Sequence, residues 1–386
     1  MHIKPKVLIM IATDQISGPA KGVLQFLENA PAGAFDYVLC GFEVTNRPVG
    51  QFVQEARRRN LNLRVLKQRF PFDPDLILQA RHLIRENGIN IVQTHGYKSN
   101  TIGHFLRTSG RLPWIGFAHG YIDDNWKNRF YNRIDRLALR RADRIVAVSK
   151  AMKELLVGHG IAGKAIRVVH NAVDPREAEP DTPASTIRQR YGLTSEQKVI
   201  GVVGRLSPEK GQLIFLKAME ETVRKFPRVK ALIIGDGQDR AMLEGFCREK
   251  GLSDHVVFLG HQERIANYYQ VLDLFVLPSL SEGSPNAVLE AMSFAIPVLA
   301  TAVGGVPEII QEGNGAMVPS NDSGMLAKKM IELLADDALR SAIGLKGKSS
   351  LFAGFTAAGR VKQIVDLYEE LLSDQSRTQS TYSSAW

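Results

Sequence analysis

The chain has 386 residues, more than one compact core usually contains, so at least two domains are expected. Hydrophobic residues make up 44% and charged residues 23%, a balance that excludes a fibrous or wholly disordered protein. The net charge of +9 is uneven, because residues 1–175 carry +12 and the remainder carries −3. An excess of positive charge suggests three kinds of partner: nucleic acid, an anionic membrane or a phosphorylated small molecule.

Short apolar runs alternate with segments of helical periodicity from the N-terminus onward. In the first half the predicted strands are residues 7–12, 37–41, 63–66, 89–93, 114–118 and 145–148. The predicted helices between them include residues 22–29, 51–60 and 76–87. Because these strands are apolar throughout and do not alternate, they favour a parallel sheet covered by helices on both faces, which is a doubly wound α/β domain.

A segment with three prolines interrupts this rhythm at residues 174–183 and predicts a linker. The rhythm then resumes with predicted strands at residues 199–203, 231–234, 256–259, 274–277 and 297–300. We expect two Rossmann-like domains facing across a cleft, with the ligand between the carboxyl ends of their strands. The expected boundaries are an N-terminal domain at 1–175, a linker at 176–186, a C-terminal domain at 187–372 and a disordered polar tail at 373–386. Packing of the last helix of the C-terminal domain back on the N-terminal domain is one possibility.

The cellular compartment is suggested by features that the sequence lacks. Two cysteines far apart, Cys40 and Cys247, exclude a disulfide framework and favour a reducing compartment. The apolar run at residues 7–12 is short for a signal peptide, and no apolar run approaches the ~18 residues of a membrane-spanning helix. We therefore expect a cytoplasmic protein, either free or peripheral on the cytoplasmic face of the membrane.

The loop Ser281-Glu282-Gly283-Ser284-Pro285 connects a predicted strand to a helix. Ser284 as the N-cap and Pro285 at the first helical position would leave free backbone amides, which bind anions. Glu290 lies about two turns into the helix among apolar residues, so its carboxylate needs a partner such as a sugar or ribose hydroxyl. The alternative is that Glu282 is solvated and Glu290 bonds to nearby backbone.

A second loop, after the predicted strand at 199–203, places Arg205 and Lys210 behind the glycine turn at Gly204. A guanidinium offers forked donation to phosphate oxygens, and an ammonium offers a point charge. Taken singly, each cation is more typical of a solvated surface residue. Their position at the carboxyl end of a strand favours a phosphate site.

The two loops together resemble the retaining glycosyltransferases of family 4, which have the GT-B fold. The resemblance is carried by Gly204-Arg205…Glu209-Lys210-Gly211 and by Glu282 and Glu290 within Glu-Gly-x-Pro-Asn-x3-Glu-Ala-Met. It covers nearly the whole second half and is thinner in the first, where His119-Gly120 is one of the matching motifs. The family's first loop usually carries a Gly-Gly pair, whereas this chain has Gly18 followed by Pro19, which offers no N–H.

The resemblance implies a role for each matched residue. Glu282 and His119 would act at the transferred sugar, Glu290 would bond the ribose hydroxyls, and the loop around His261 would hold the base. The remaining donor-binding residues would be Gly18, Gly204, Arg205, Lys210, Gly283, Ser284, Pro285 and Asn286. Without the resemblance, His119 would be interpreted as a structural histidine at a strand end.

No catalytic metal or other cofactor is expected. The candidate Asp-x-Asp motif is Asp73-Pro74-Asp75, and Asp73 as the N-cap with Pro74 at the first helical position explains it. Asp123 and Asp124 form another acidic pair, before a basic helix. No residue is an obvious covalent nucleophile, which fits the front-face route proposed for the family, with the leaving phosphate acting as base.

The basic character of the first half is concentrated in residues 124–144. A helical stripe of arginines contains Arg129, Arg133, Arg136, Arg140 and Arg144, and the adjacent apolar stripe contains Trp126, Phe130, Ile134 and Leu137. One hypothesis is that this helix contacts an anionic membrane that presents a lipid-linked acceptor. The other is an ordinary helix with its apolar stripe in the core and its arginines in water.

The function predicted is transfer of a sugar from a nucleotide donor, UDP in preference to GDP, to a saccharide or lipid-linked acceptor in surface polysaccharide or glycolipid synthesis. One alternative is a sugar-nucleotide epimerase on the same fold, which the Glu-x7-Glu spacing disfavours. The other is a nucleic-acid-binding protein, which the absence of a recognised binding motif and the −3 charge of the second half disfavour. No nucleic-acid partner is therefore expected.

Overall fold

The structure is a computed structural model that describes residues 4–109, 112–121 and 126–383. The chain divides into two compact units, one formed by Met1–Asn171 with Ala357–Trp386 and the other by Ala172–Thr356. The division falls four residues before the predicted boundary at 175. The predicted linker at 176–186 begins inside a short 3-10 helix, Pro175–Ala178.

The first unit contains a parallel sheet. Its strands are β1 (Lys6–Ile11), β2 (Asp36–Val44), β3 (Leu63–Gln68), β4 (Ile91–His95), β5 (Trp114–Ala118), β6 (Arg144–Ala147) and β7 (Ile166–Val168). Its helices are α1 (Gly18–Asn29), α2 (Gln51–Arg58), α3 (Asp75–Asn87), α4 (Gly96–Ser109), α5 (Trp126–Leu139), α6 (Lys150–Gly158) and α15 (Ala357–Ser383). The order β3-β2-β1-β4-β5-β6-β7 reverses direction at β1, as in doubly wound folds.

Alternate residues of β1 explain why helices cover both faces of this sheet. Val7 and Ile9 pack with α1, α2 and α15 on one face, whereas Leu8 and Met10 pack with α3, α4, α5 and α6 on the other. All four side chains are fully buried. Apolar residues at every position of a strand therefore correspond to a sheet with two covered faces, as predicted.

The second unit repeats this plan. Its strands are β8 (Val199–Val203), β9 (Lys230–Ile234), β10 (Val256–Gly260), β11 (Leu274–Leu277), β12 (Val298–Thr301) and β13 (Ala316–Val318). Its helices are α7 (Ala184–Arg190), α8 (Gln212–Lys225), α9 (Arg240–Glu249), α10 (Ala266–Tyr269), α11 (Asn286–Ser293), α12 (Val306–Ile309), α13 (Ser323–Ala335) and α14 (Asp337–Gly354). The order is β10-β9-β8-β11-β12-β13, and every strand pair is parallel. The prediction of two parallel-sheet α/β units is confirmed.

The structure differs from the predicted elements at the sheet edges and at the C-terminus. β7 and β13 were not predicted, because runs of three residues carry no periodicity above that of a loop. The tail predicted to be disordered from residue 373 continues α15 as far as Ser383. Residues 373–383 contain neither glycine nor proline, so a helix already formed upstream can extend at little cost, in spite of the polar composition. Residues 384–386 lie outside the described residues.

Candidate active site

The predicted donor site of the second unit lies where its strand order reverses. β8 pairs with β9 on one side and with β11 on the other. The helix after β8, α8, packs in one core cluster, and the helix after β11, α11, packs in the other, on the opposite face of the sheet. A crevice opens at such a point and is the usual ligand site of a doubly wound sheet. The loop after β8 carries Gly204, Arg205 and Lys210, and the loop after β11 carries Glu282.

An ion pair joins these two loops. Lys210 Nζ donates to Glu282 Oε1 at 2.7 Å, and Ser279 Oγ donates to the same oxygen at 2.6 Å. The Glu282 side chain is 6% exposed and that of Lys210 is 27% exposed. A carboxylate so little exposed depends on its charged partner. Glu282 is therefore a buried, paired anion, and the alternative of a solvated loop residue is wrong.

Two glycines allow the backbone to approach closely around this pair. A Cβ on Gly304, whose φ is +52°, would lie 1.7 Å from the carbonyl oxygen of Glu282. A Cβ on Gly211, whose φ is +67°, would lie 2.0 Å from the carbonyl oxygen of Pro278. Both glycines have a left-handed conformation that other residues rarely adopt. Backbone packing thus sets the position of Glu282.

Arg205 is oriented by residues of its own loop. Its Nη2 donates to Glu209 Oε1 at 2.5 Å, and Ser207 Oγ donates to the same oxygen at 2.7 Å. The Arg205 side chain stays 58% exposed, whereas Glu209 Oε2 is buried without a hydrogen-bond partner among the described residues. Glu209 had no predicted role. Its carboxylate aligns the guanidinium and leaves other donors of that group open to a ligand.

Helix α11 begins later than predicted. Pro285, with a ψ of 110°, is the N-cap and Asn286 is the first helical residue, so Ser284 is not the cap. The extended conformation of Pro285 is the reason, since it delays the first helical turn. The amides of Gly283 and Asn286 donate to no acceptor in the described ranges. These two amides point to an anion site at the start of the helix.

Glu290 is anchored by a residue that the sequence did not suggest. The hydroxyl of Tyr269 donates to Glu290 Oε2 at 3.0 Å. Burial, together with the Glu290 carboxylate, raises the pKa of Tyr269 well above its usual value, so the hydroxyl stays protonated as a donor. Tyr269 lies on α10, 21 residues before Glu290, and no local pattern relates the two positions.

The loop predicted to hold the base follows β10. Gly260 has a φ of +69° and accepts a hydrogen bond from the Gly235 amide, so the chain turns sharply there. His261 is exposed, whereas Gln262 is held between the Leu259 carbonyl oxygen and the Tyr268 hydroxyl. The base-binding role of His261 stays a prediction.

In the first unit, His119 follows β5 and contacts a second histidine. His119 Nε2 lies 2.8 Å from Nδ1 of His95, the last residue of the neighbouring strand β4. Burial, aided by the charge of Arg360, lowers the pKa of His119 to about 3, so the ring is neutral at pH 7. His95 was not predicted from the sequence, although its place at the carboxyl end of a strand was a usable signal.

Gly18 lies at the start of a helix of the same unit. It is the first residue of α1, which begins four residues earlier than predicted, and Pro19 follows it. Proline is tolerated in the first helical turn, because its missing N–H would have had no partner inside the helix. The donor-binding role of Gly18 stays a prediction.

The basic helix α5 exposes its apolar stripe. Trp126 is 75% exposed, Phe130 50% and Leu137 49%, whereas the buried residues of α5 are Asp135, Ala138 and Leu139. Ile134, the fourth residue of the stripe, is half-buried. The hypothesis that the stripe lies in the core is therefore wrong for the other three residues. The arginine stripe is exposed at Arg129, Arg133 and Arg140, while Arg136 is half-buried over the Tyr121 ring. No helix in the described part of the chain is long and apolar enough to cross a membrane.

The acidic motif Asp73-Pro74-Asp75 is engaged by protein groups. Both oxygens of Asp73 accept hydrogen bonds from the Arg69 guanidinium, and one of them also accepts from the Asp75 amide at 3.1 Å. Arg69 holds the pKa of Asp73 well below its usual range. Helix α3 begins at Asp75, so Pro74 is its N-cap, and the predicted assignment of Asp73 as the N-cap with Pro74 as the first helical residue is wrong by one position. The described residues contain no group of three or more His, Cys, Asp or Glu placed to hold a metal; Asp123 and Asp124 lie outside them.

Comparison with known families and structures agrees with this architecture. Residues 184–350 match the family model for glycosyl transferases group 1, and residues 16–177 match the model for Glycosyltransferase Family 4. In fold, the chain is similar to the Anabaena protein Alr3699/HepE in complex with UDP and glucose, with a TM-score of 0.84 and 21% identity over 95% of this chain and 100% of that one. It is also similar to WaaG, a glycosyltransferase involved in lipopolysaccharide biosynthesis, with a TM-score of 0.73 and 14% identity over 94% of this chain and 99% of that one.

The relatives found by sequence are also glycosyltransferases by name. The UDP-Gal:alpha-D-GlcNAc-diphosphoundecaprenol alpha-1,3-galactosyltransferase of Escherichia coli is 25% identical over 96% of this chain and 98% of its own length. The D-inositol 3-phosphate glycosyltransferase of Corynebacterium jeikeium (strain K411) is 29% identical over 74% of each chain. With the two family models matched in succession along the chain, these similarities identify the protein as a GT-B glycosyltransferase of group 1.

Proposed function

We propose that this glycosyltransferase moves a sugar from a nucleoside diphosphate donor to a saccharide or lipid-linked acceptor, with UDP as the carrier and GDP as the main alternative. The observation that carries the proposal is the meeting of the loops after β8 and β11, where Arg205 and Lys210 accompany two free amides at the start of α11. Such donors stabilise the charge that develops on a departing diphosphate. The E. coli relative uses UDP-galactose, and the Anabaena structure holds UDP and glucose, which favours uridine.

Donor binding would change the partner of Lys210. Without a donor its ammonium neutralises the Glu282 carboxylate at 2.7 Å. A diphosphate carries more negative charge than one carboxylate and would attract that ammonium. Glu282, still held by Ser279, would then accept a hydrogen bond from a hydroxyl of the transferred sugar. Glu290 would accept from the ribose hydroxyls while Tyr269 keeps it in place.

We further propose that transfer retains the anomeric configuration and needs no catalytic metal, as in family 4. Arg205, Lys210 and the free amides would supply the positive potential for which other enzymes use a divalent ion. The acceptor hydroxyl would attack the anomeric carbon from the face that the diphosphate leaves. Its proton would pass to the departing phosphate oxygen as the glycosyl bond forms. Synthesis of a surface polysaccharide or glycolipid is the process proposed.

A panel of donors tests the reaction. The full chain is mixed with UDP-glucose, UDP-galactose, UDP-N-acetylglucosamine and GDP-mannose, and the melting temperature and nucleoside diphosphate release are measured with and without acceptor and EDTA. One uridine donor should raise the melting temperature. Release should require acceptor and tolerate EDTA, and the product should keep the donor's anomeric configuration. Epimerised donor in the absence of acceptor would indicate a sugar-nucleotide epimerase. Salt-sensitive binding of nucleic acid without donor binding would indicate a nucleic-acid-binding protein.

A matched pair of lysine variants tests the crevice. Lys210→Gln removes the charge that contacts Glu282, and kcat/KM for the donor should fall by about 100-fold, as on loss of one preorganised charged donor. Lys217→Gln removes the same charge from an exposed position on α8 and should leave kcat/KM unchanged. Equal activity of both variants would contradict the site.

We also propose that the first unit contacts an anionic membrane through an aromatic–arginine surface, defined as Phe70, Phe72, Trp126, Arg129, Phe130 and Arg133. All six side chains are exposed. The ring of Phe72 lies 6.1 Å from that of Tyr131, so the loop before α3 and the exposed face of α5 are continuous. Exposed aromatic rings beside arginines suit the interface of an anionic bilayer, where the rings enter the headgroup region.

Charge reversal distinguishes this surface from basic charge in general. Arg129→Glu/Arg133→Glu should abolish co-sedimentation with vesicles that contain phosphatidylglycerol. Arg57→Glu/Arg58→Glu makes the same change of charge on α2, where both arginines already pair with glutamates, and should leave most binding intact. Equal losses in the two double variants would contradict a specific surface.

A further inference from the structure

We propose that Tyr368, Gln93 and His95 are positioning residues that fix His119 in the tautomer with its proton on Nδ1. The inference rests on the proposed place of His119 beside the transferred sugar. It adds a direction to that role, because His119 would then offer an N–H donor to the substrate and could not act as a base.

Four side chains form one hydrogen-bonded row inside the first unit. The Tyr368 hydroxyl donates to Gln93 Oε1, and Gln93 Nε2 lies 2.8 Å from His95 Nε2. His95 Nδ1 lies 2.8 Å from His119 Nε2, with the two ring planes 20° apart. Tyr368, Gln93 and His95 are buried, so bulk water does not compete for these contacts.

The chemistry of each group sets the direction of each bond. A tyrosine hydroxyl needs an acceptor, and Gln93 Oε1 is the acceptor of Tyr368 in the described part of the chain. Turning the amide over would leave that buried proton without one. Gln93 Nε2 can only donate, so His95 Nε2 accepts and His95 carries its proton on Nδ1. That proton is donated to His119 Nε2, which leaves the His119 proton on Nδ1.

These bond directions hold when both rings are neutral, and the surroundings of the two rings keep them neutral. Burial lowers the pKa of His95 well below its usual value and that of His119 to about 3, with Arg360 contributing to both. Arg360 is buried on α15, where its Nη1 donates to the Gly22 carbonyl oxygen at 2.9 Å. No carboxylate pairs with it among the described residues. Protonating either ring would add a second buried cation near an uncompensated one.

Through this row of hydrogen bonds, the C-terminal helix α15 helps to orient His119. Tyr368 on α15 follows Gln93 by 275 residues and sets the orientation of its amide. With Nε2 occupied by His95, the Nδ1–H of His119 is the group that remains for a ligand. A neutral N–H donor suits a sugar hydroxyl or ring oxygen, so the proposed contact is positioning of the transferred sugar.

Histidine tautomers can be read directly on the ligand-free full chain. Long-range 1H–15N correlation spectra of 15N-histidine protein distinguish Nδ1–H from Nε2–H, and His95→Asn and His119→Asn assign the two signals. Both rings should carry Nδ1–H. His255 is an internal standard, because its Nδ1 lies 3.1 Å from the Val229 carbonyl oxygen and must carry a proton. An Nε2–H signal for His119 in the wild type would overturn the proposal.

Two variants test the direction of the row. Gln93→Glu replaces the donor to His95 with an acceptor, so both histidines should change to Nε2–H while His255 stays as it was. Tyr368→Phe frees the amide to turn and should give a mixture of tautomers. A His119 signal unchanged in both variants would refute the row; if Gln93→Glu does not fold, the wild-type and Tyr368→Phe spectra decide alone.

Activity separates this inference from the proposed function. Gln93→Glu should lower kcat/KM for the donor about tenfold, as expected for loss of one neutral hydrogen bond to the sugar. The spectra need no substrate, so the predicted tautomers together with no turnover of any nucleotide sugar would uphold the row and refute the proposed function. Full kcat/KM in a Gln93→Glu enzyme with inverted tautomers would refute the donor role of His119.

Discussion

The buried carboxyl of Asp135 provides a stability test whose size follows from the structure. Its Oδ1 accepts from Asn100 Nδ2 at 2.6 Å and its Oδ2 accepts from the Tyr121 hydroxyl at 2.7 Å. Burial raises the pKa of Asp135 from 3.8 to about 6, against the lowering effect of these hydrogen bonds. The folded protein therefore binds this proton more tightly than the unfolded chain. Stability from this group is full below pH 3.8 and is lost as the pH rises through about 6.

The magnitude follows from the two pKa values. A difference of about two pKa units corresponds to about 3 kcal/mol of unfolding free energy lost by neutral pH. Asp135→Asn cannot ionise, so its free energy of unfolding relative to wild type should increase by about 2 kcal/mol between pH ~4.5 and pH ~7.5. Tyr121 loses a hydrogen-bond acceptor in this variant. This loss lowers the free energy of unfolding by about 1 kcal/mol at every pH and does not change its dependence on pH.

Urea unfolding followed by tryptophan fluorescence measures this change in the first unit alone. The three tryptophans are Trp114, Trp126 and Trp386, all in that unit. Trp114 is buried, and its Nε1 donates to Thr94, which in turn bonds Asn100, so the probe lies in the same network as Asp135. A free-energy difference between variant and wild type that stays constant across this pH range would refute the reasoning.

Three further substitutions test the second unit. Gly304→Ala should lower kcat/KM at least tenfold with the fold intact by circular dichroism, because the new Cβ would displace the Glu282 carbonyl oxygen 1.7 Å away; wild-type kinetics would contradict the close packing. Tyr269→Phe removes the hydrogen bond to Glu290, and isothermal titration should show about tenfold weaker donor binding; unchanged affinity would argue against a ribose role. Glu209→Gln should raise the donor KM several-fold through a less ordered guanidinium, and an unaltered KM would mean that the loop arginine needs no alignment.

The sequence was most informative where a local pattern has one physical explanation. Strands with apolar residues on both faces, such as β8 and residues 7–11 of β1, require cover on both faces, and this predicted two doubly wound units. The two motifs do follow β8 and β11, as predicted, and the structure adds that these strands are neighbours. Boundaries were less exact, as at Pro285, because its ψ of 110° depends on the path of the loop and not on the preference of the residue.

Side-chain partners were decided by the tertiary structure alone. Glu282 is a buried anion because the sheet brings Lys210, 72 residues away, beside it. His119 is neutral because burial lowers its pKa, with a further contribution from the charge of Arg360 on the last helix. The apolar stripe of α5 was visible in the sequence, but only the structure shows that Asp135, Ala138 and Leu139 are the buried residues of this helix. Periodicity and turn chemistry act between neighbours in the chain, so the sequence by itself determined elements, fold class and motif positions. Burial, ion pairs and tautomers depend on residues that only folding brings together, so they belong to the structure.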